Sequence, residues 1–175
     1  MQLEFLVQIN MFNLFKNKYF IGNNKGFMMV EIMVASSIIV ASFLAVIIVA
    51  HKSVAVSKQA LHTSQASFLL EEGAEAVRIV RDNGWANISS LNLATNYYPT
   101  FSGGTWTLST TLNTVGIFTR KVVISAVNRN AGTGNIDPLG TLDTGTKLVT
   151  VTVTWFDSGV QISKTLSFYI NDIFS

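Results

Sequence analysis

The 175 residues include no cysteine, only two prolines and 49% apolar side chains, with a formal net charge of +2. That length holds one domain with an accessory segment rather than two large domains, and the missing thiols exclude a disulfide framework, a thiolate zinc site and a cysteine nucleophile. The charge excess sits at the start, where Lys16, Lys18 and Lys25 outweigh Glu4; after Gly26 acids and bases balance, so the bulk of the chain carries no electrostatic mark of a nucleic-acid binder.

The run FMMVEIMVASSIIVASFLAVIIVA, Phe27 to Ala50, contains a single ionisable group, Glu31. As a helix these residues span roughly 36 Å, enough to cross a hydrocarbon layer about 30 Å thick. The run is too long for the apolar core of a cleaved secretory signal, although Ala41, Ser42, Ala45 and Ala50 supply small residues. Lys16, Lys18 and Lys25 precede it, which predicts a cytoplasmic N-terminus with everything after His51 outside.

From His51 to Asp82 no proline interrupts the helical pattern. Leu61, Phe68, Leu69, Gly73, Ala76, Val77 and Val80 recur at helical spacing and predict one apolar stripe, with Glu71, Glu72, Glu75, Arg78 and Arg81 mostly on other faces. Asn83 and Gly84 supply the stop. Phe27 to Asp82 is therefore expected to be one helix, apolar all round in its first half and amphipathic in its second.

After Gly84 the period changes to that of strands. Thr105–Ser109, Phe118–Asn128 and Lys147–Phe156 are β-rich; in the last, Val149, Val151, Val153 and Trp155 alternate with Thr150, Thr152 and Thr154. Asp157, Ser158 and Gly159 predict a tight turn into a strand with Val160, Ile162, Leu166, Phe168 and Ile170, giving an antiparallel hairpin. Residues 131–146, rich in Gly, Thr and Asp, read as a long surface loop. The expected fold class is α+β: a long N-terminal helix, half transmembrane and half amphipathic, packed on a small antiparallel sheet. The predicted divisions are a leader over 1–26, the helix over 27–83 with its transmembrane segment at 27–50, and an extracytoplasmic β domain over 84–175.

Lys25-Gly26-Phe27-Met28-Met29-Val30-Glu31, followed by the apolar run, resembles the prepilin cleavage motif of type IV pilins and type II secretion pseudopilins. The resemblance covers Lys25 to about Ala50 in detail and the rest in outline. It implies that a membrane aspartyl peptidase cuts between Gly26 and Phe27 on the cytoplasmic side, and that the same enzyme methylates the new Phe27 amine. It also implies assembly with other pilins through the N-terminal helix, on an inner-membrane platform, into a cell-surface or periplasmic filament. Glu31 stands out independently, because a carboxylate in an apolar helix costs a few kcal/mol and needs a partner. The Phe27 amine of an adjacent subunit could provide one and set axial register; the plainer reading is a carboxylate that snorkels outward. Met28-Met29 and the lack of a proline near the end of the run depart from the pattern of major pilins and look more like a minor subunit. Met11 is a second candidate start, leaving the leader MFNLFKNKYFIGNNKG.

Other constellations are weaker. Glu75 with Arg78 and Arg78 with Asp82 have the spacing of helix ion pairs, so the acidic cluster reads as a solvated face. His51 and His62 read as surface residues without metal-ligand spacing. Asp137 and Asp143 could hold calcium but fit no motif, and ordinary turn chemistry is the simpler reading. Trp85, Trp106, Trp155, Tyr97 and Tyr98 could form a stacking surface but suit a core better. Arg120-Lys121 is too small a basic cluster to predict DNA binding, and Asn87-Ile88-Ser89 matches a glycosylation acceptor at the level of chance. No metal or cofactor is expected, and no catalytic set of serine, histidine and acid supports an enzyme. The expected function is a minor pilin or pseudopilin; the alternatives are a membrane-anchored binding module and a competence pseudopilin that aids DNA uptake.

Overall fold

A helix, α1, runs unbroken from Lys25 to Asp82 in the computed structural model, which describes residues 25–173. All of the basic leader except Lys25 and Gly26, and with it the second candidate start at Met11, lies outside the described residues. Backbone contacts divide the chain between Ser53 and Val54, so the apolar start of α1 and the domain from Val54 onward are taken separately.

In the domain, α1 ends where the sequence places its stop: the Asn83 N–H bonds to the Ile79 carbonyl and Gly84 adopts φ 139°. One helical turn, α2 (Ala86–Ser89), follows, with Ile88 buried beneath it. Six strands then form an antiparallel sheet: β1 (Asn96–Ser102), β2 (Thr105–Ser109), β3 (Thr114–Val115), β4 (Phe118–Arg129), β5 (Thr141–Asp157) and β6 (Val160–Asn171). Their order is β2-β1-β4-β5-β6, with β3 a short addition to β4. The fold is α+β, the long helix packed through its later turns on this sheet.

The expected hairpin is present. β5 and β6 pair from Thr146↔Asn171 to Asp157↔Val160, and Ser158 and Gly159 between them have φ 51° and 81°. Two successive positive φ values make the tight turn whose twist matches paired strands. Val149, Val151, Val153 and Trp155 are all buried against the helix, while the intervening threonines face away; Thr150 and Thr152 reach Ser167 and Thr165 of β6 at 3.2 and 3.4 Å.

Two strands differ from expectation. β1 contains Pro99, which argues against a strand interior because proline cannot donate to a ladder. β1 accommodates it by pairing with β4 only at Asn96 and Tyr97, so that beyond Tyr97 its sole partner is β2, joined through Gly103-Gly104. The residues read as a loop over 131–146 are in part strand, since β5 begins at Thr141. Its register against β4 jumps from Ala126↔Lys147 to Val127↔Asp143, so 144–146 bulge out, and Gly145 at the bulge reads in sequence as loop.

The helix stripe is also rotated from the expected one. Ala66, Leu69, Leu70, Gly73, Ala74, Ala76, Val77 and Val80 are buried, whereas Leu61 and Phe68 point out to solvent. The rotation follows from the sheet, whose inward residues Val122, Ile124, Val149, Val151 and Val153 meet the flank centred on Gly73 and Val77. Arg120 occupies an inward β4 position, 4% exposed, with Nη1 2.9 Å from Glu72 and 3.4 Å from the Leu69 carbonyl and its guanidinium over Trp106. Arg120 is thus a buried cation paired across sheet and helix with a half-exposed carboxylate, rather than part of a basic surface. On the helix, Glu75 pairs with Arg78 as its spacing suggests, but Asp82 takes Arg81 at 2.8 Å, and Arg78 lies instead over the Phe168 ring.

At Gly73 helix and sheet approach closely. A Cβ there would stand 2.8 Å from Val151 Cγ1 and 3.0 Å from Arg120 Cδ. Alanine elsewhere in a helix gains about 1 kcal/mol over glycine. Here overpacking wins, and Gly73→Ala is expected to destabilise the chain by about 1–3 kcal/mol, visible as a lower thermal midpoint in detergent; an unchanged or higher midpoint would contradict the close approach.

Candidate functional site

The three residues that the sequence singles out fall on the first turns of α1. Gly26 lies inside its first turn, Phe27 is 80% exposed, and Glu31 follows Phe27 by four residues, hence on the same face. Every residue from Phe27 to Ala50 is exposed. The window is apolar enough to cross a membrane, with none of it buried among the described residues. A helix apolar on all sides is matched to lipid or to burial among other helices.

The serines within this segment are already satisfied. Ser36 and Ser37 donate to the Met33 carbonyl at 2.9 and 2.6 Å, and Ser42 donates to the Ile38 carbonyl at 2.8 Å. Such back-bonding lets a hydroxyl enter hydrocarbon without a lost hydrogen bond. Glu31 is different, because among the described residues it makes no ion pair or side-chain hydrogen bond. The polar demand of the whole segment is thus concentrated in one carboxylate, one turn from Phe27.

The remaining sequence candidates separate from this region. Asp143 accepts hydrogen bonds from Arg129 Nε at 2.5 Å and from the Gly145 N–H at 2.9 Å, and Arg129 also reaches the Thr146 hydroxyl at 3.1 Å. This clasp closes the β5 bulge and occupies the carboxylate that a calcium ion would need. Asp137 is engaged separately, accepting from the Leu139 N–H at 2.9 Å. No cluster of three metal-ligating side chains is found among the described residues.

The aromatic candidates belong largely to the interior. Trp155 and Tyr97 are buried, Trp85 packs at the core's edge, and Trp106 has Arg120 over its face and Phe101 beside it. Asn87 of the glycosylation-like triplet donates from Nδ2 to the Val80 carbonyl at 3.3 Å. His51 is exposed as expected, but His62 is half-buried, edge-on to Phe118 at 6.1 Å.

His62 lines a feature that the sequence did not reveal. A groove of about 480 Å³ lies between α1 and the turn from β3 to β4, walled by Gln65, Phe68, Val115, Ile117 and Phe118. Its signal lay in Leu61 and Phe68, whose spacing suits the core stripe equally well until the sheet fixes which flank is covered.

The clasp at Asp143 has a pH signature. Hydrogen bonding by the Thr146 hydroxyl and then by Arg129 holds the Asp143 carboxyl below its ordinary value. A depressed native pKa contributes stability that is present above the unfolded value of about 3.9 and lost as pH falls through the native one. Asp143→Asn is therefore expected to lower the thermal midpoint at pH 7, with the gap to the unaltered chain closing below about pH 4. A gap constant down to pH 2 would rule the clasp out.

Comparison with protein-family models, with curated proteins and with solved structures finds no match for this chain. Its architecture is nonetheless pilin-like: a long N-terminal apolar helix continuing into a helix packed on an antiparallel sheet.

Proposed function

We propose that this chain is a subunit of a type IV pilin-like filament, made as a membrane-inserted precursor and assembled through its N-terminal helix. The observation that carries this reading is the segment from Phe27 to Ala50, a helix with no buried residue, a single charge and satisfied serines. A helix of this kind is stable in lipid and equally stable among similar helices, so it can pass from one to the other. A domain that merely needed an anchor would gain nothing from a carboxylate within the apolar segment, which costs a few kcal/mol in lipid.

On this reading a prepilin peptidase cuts between Gly26 and Phe27 and methylates the Phe27 amine. Removal of the leader takes away the positive flank that holds the helix in its inserted orientation. It also creates a charged amine one turn from Glu31. Within a single chain the amine and Glu31 share one end of the helix; between chains, the amine of one subunit meets Glu31 of its neighbour and offsets the cost of both charges. That pairing rewards one axial offset and penalises the rest.

The partners are the peptidase, other pilins or pseudopilins, and an inner-membrane assembly platform; the protein acts by assembling rather than by catalysis. Met28-Met29 and a helix that lacks a proline kink support a minor subunit.

Intact-mass analysis of the membrane fraction should find a chain that begins at Phe27 and bears one added methyl group. A full-length, unmodified chain in cells that possess the peptidase would instead indicate a plain membrane anchor. Glu31→Ala should be cut and retained in the membrane normally but enter filaments at least about tenfold less well, equivalent to roughly 1.4 kcal/mol. Normal incorporation would refute the registry role.

A further inference from the structure

The C-terminal end of α1 opens on a cleft that neither the core nor the apolar segment accounts for. About 360 Å³ of space lies between the last turn of α1, α2 and the edge strand β2. Six of its nine lining residues carry polar side chains: Asn83, Asn87, Ser90, Thr105, Trp106 and Thr107. Val80, Leu91 and Leu108 supply the apolar remainder. A gap left by imperfect packing is apolar and stays dry, whereas a polar cleft of this size holds water that a ligand can displace. The volume falls within the range of small-molecule sites, roughly 300 to 1,000 Å³.

Its polar groups are oriented by the fold but not used up by it. Asn83 donates from Nδ2 to the Thr105 hydroxyl and Asn87 from Nδ2 to the Val80 carbonyl, both at 3.3 Å, which fixes the two carboxamides. Among the described residues neither amide oxygen accepts a hydrogen bond, and Thr105, having accepted from Asn83, keeps its proton to donate. Thr107 gives its proton to the Thr100 carbonyl at 3.3 Å and keeps its lone pairs. Trp106 is half-buried, with Arg120 over one face of the ring at 5.3 Å and Phe101 beside it at 5.4 Å. Neither of these two lines the cleft, so the indole is held from the interior and meets the cleft with the surface they leave open. Groups already fixed in place lose little freedom when a ligand binds.

Uncharged donors and acceptors beside a held aromatic ring define the chemistry that fits. The ligand must offer hydroxyls that both give and accept hydrogen bonds, together with an apolar patch to lie on the indole. A pyranose has both, with hydroxyls around its edge and C–H groups on its face. No Lys, Arg, Asp or Glu lines the cleft, so a charged ligand would lose solvent without gaining a counter-charge. A nucleotide is disfavoured on the same ground, because its phosphate would find no cation there.

We propose that this cleft binds a neutral sugar ring, free or at the end of a glycan. The indole of Trp106 takes the C–H face, the amide oxygens of Asn83 and Asn87 accept from sugar hydroxyls, and Thr105 donates to one. The site is independent of the filament reading, since a chain that stays a plain membrane anchor carries the same cleft.

Saturation-transfer NMR on the full chain, held in a detergent without a sugar headgroup, reads the contact directly. Neutral methyl pyranosides, their oligosaccharides and the corresponding uronic acids serve as probes at millimolar concentration. At least one neutral sugar should receive saturation, strongest on its ring C–H protons, while its uronic acid receives little. Tighter binding of the oligosaccharide is the result expected for a glycan end, and equal binding the result expected for a free sugar. Thr107→Lys, at an exposed strand position, sets a long cation in the cleft and should weaken binding at least about tenfold with the thermal midpoint unchanged. No saturation of any neutral sugar, uronic acids bound as well as neutral ones, or undiminished binding by Thr107→Lys would each overturn the site.

Discussion

Burial of the apolar surface of Phe27–Ala50 is the constraint on which the rest depends. At roughly 25 cal/mol for each Å² of apolar surface, a helix of this length exposed to water on all sides is far too costly for a domain whose net stability is of order 10 kcal/mol. The described residues bury none of it. Lipid or neighbouring helices must do so, and the remaining features become intelligible as adaptations to that demand.

Polar groups in the segment show the adaptation most clearly. Ser36, Ser37 and Ser42 return their hydroxyls to the helix backbone, leaving Glu31 as the one polar side chain of this segment without a partner among the described residues. An isolated charge is a poor choice for an anchor and a good one for a registry device, because its cost disappears at one geometry only. The domain beyond Val54 makes the opposite choice for Arg120, which it buries but supplies with a partner of its own, the half-exposed Glu72, so that helix and sheet lock together without outside help. The exposed flank of the same helix, with Leu61 and Phe68, is then free for other contacts.

Much of the fold was legible because it rests on periodicity. The strict alternation from Val149 to Trp155 and the turn at Ser158-Gly159 specify a hairpin that the structure reproduces, and Asn83-Gly84 marks the helix end. What was hidden depends on long-range pairing. Pro99 conceals β1 because its tolerance arises from the pairing of β1 with β4 ending at Tyr97; Gly145 conceals the start of β5 because the bulge is closed by Arg129 and Asp143 from two strands. The choice between the Leu61–Phe68 flank and the Ala66–Leu70 flank is likewise made by the sheet, which helix periodicity alone does not contain. Of the candidate site, Gly26, Phe27 and Glu31 could be named from local sequence, whereas the groove could not.

The central claim is that the helix from Phe27 to Ala50 exchanges a lipid cover for a protein one. Photolabelling with a carbene precursor carried on lipid acyl chains measures this directly, with labelled residues located by peptide mass analysis. The account predicts dense labelling of this segment in membranes and its near-complete loss when the same chain is recovered in filaments and relabelled in the presence of lipid. Undiminished labelling in both states, or none in the membrane, would contradict it.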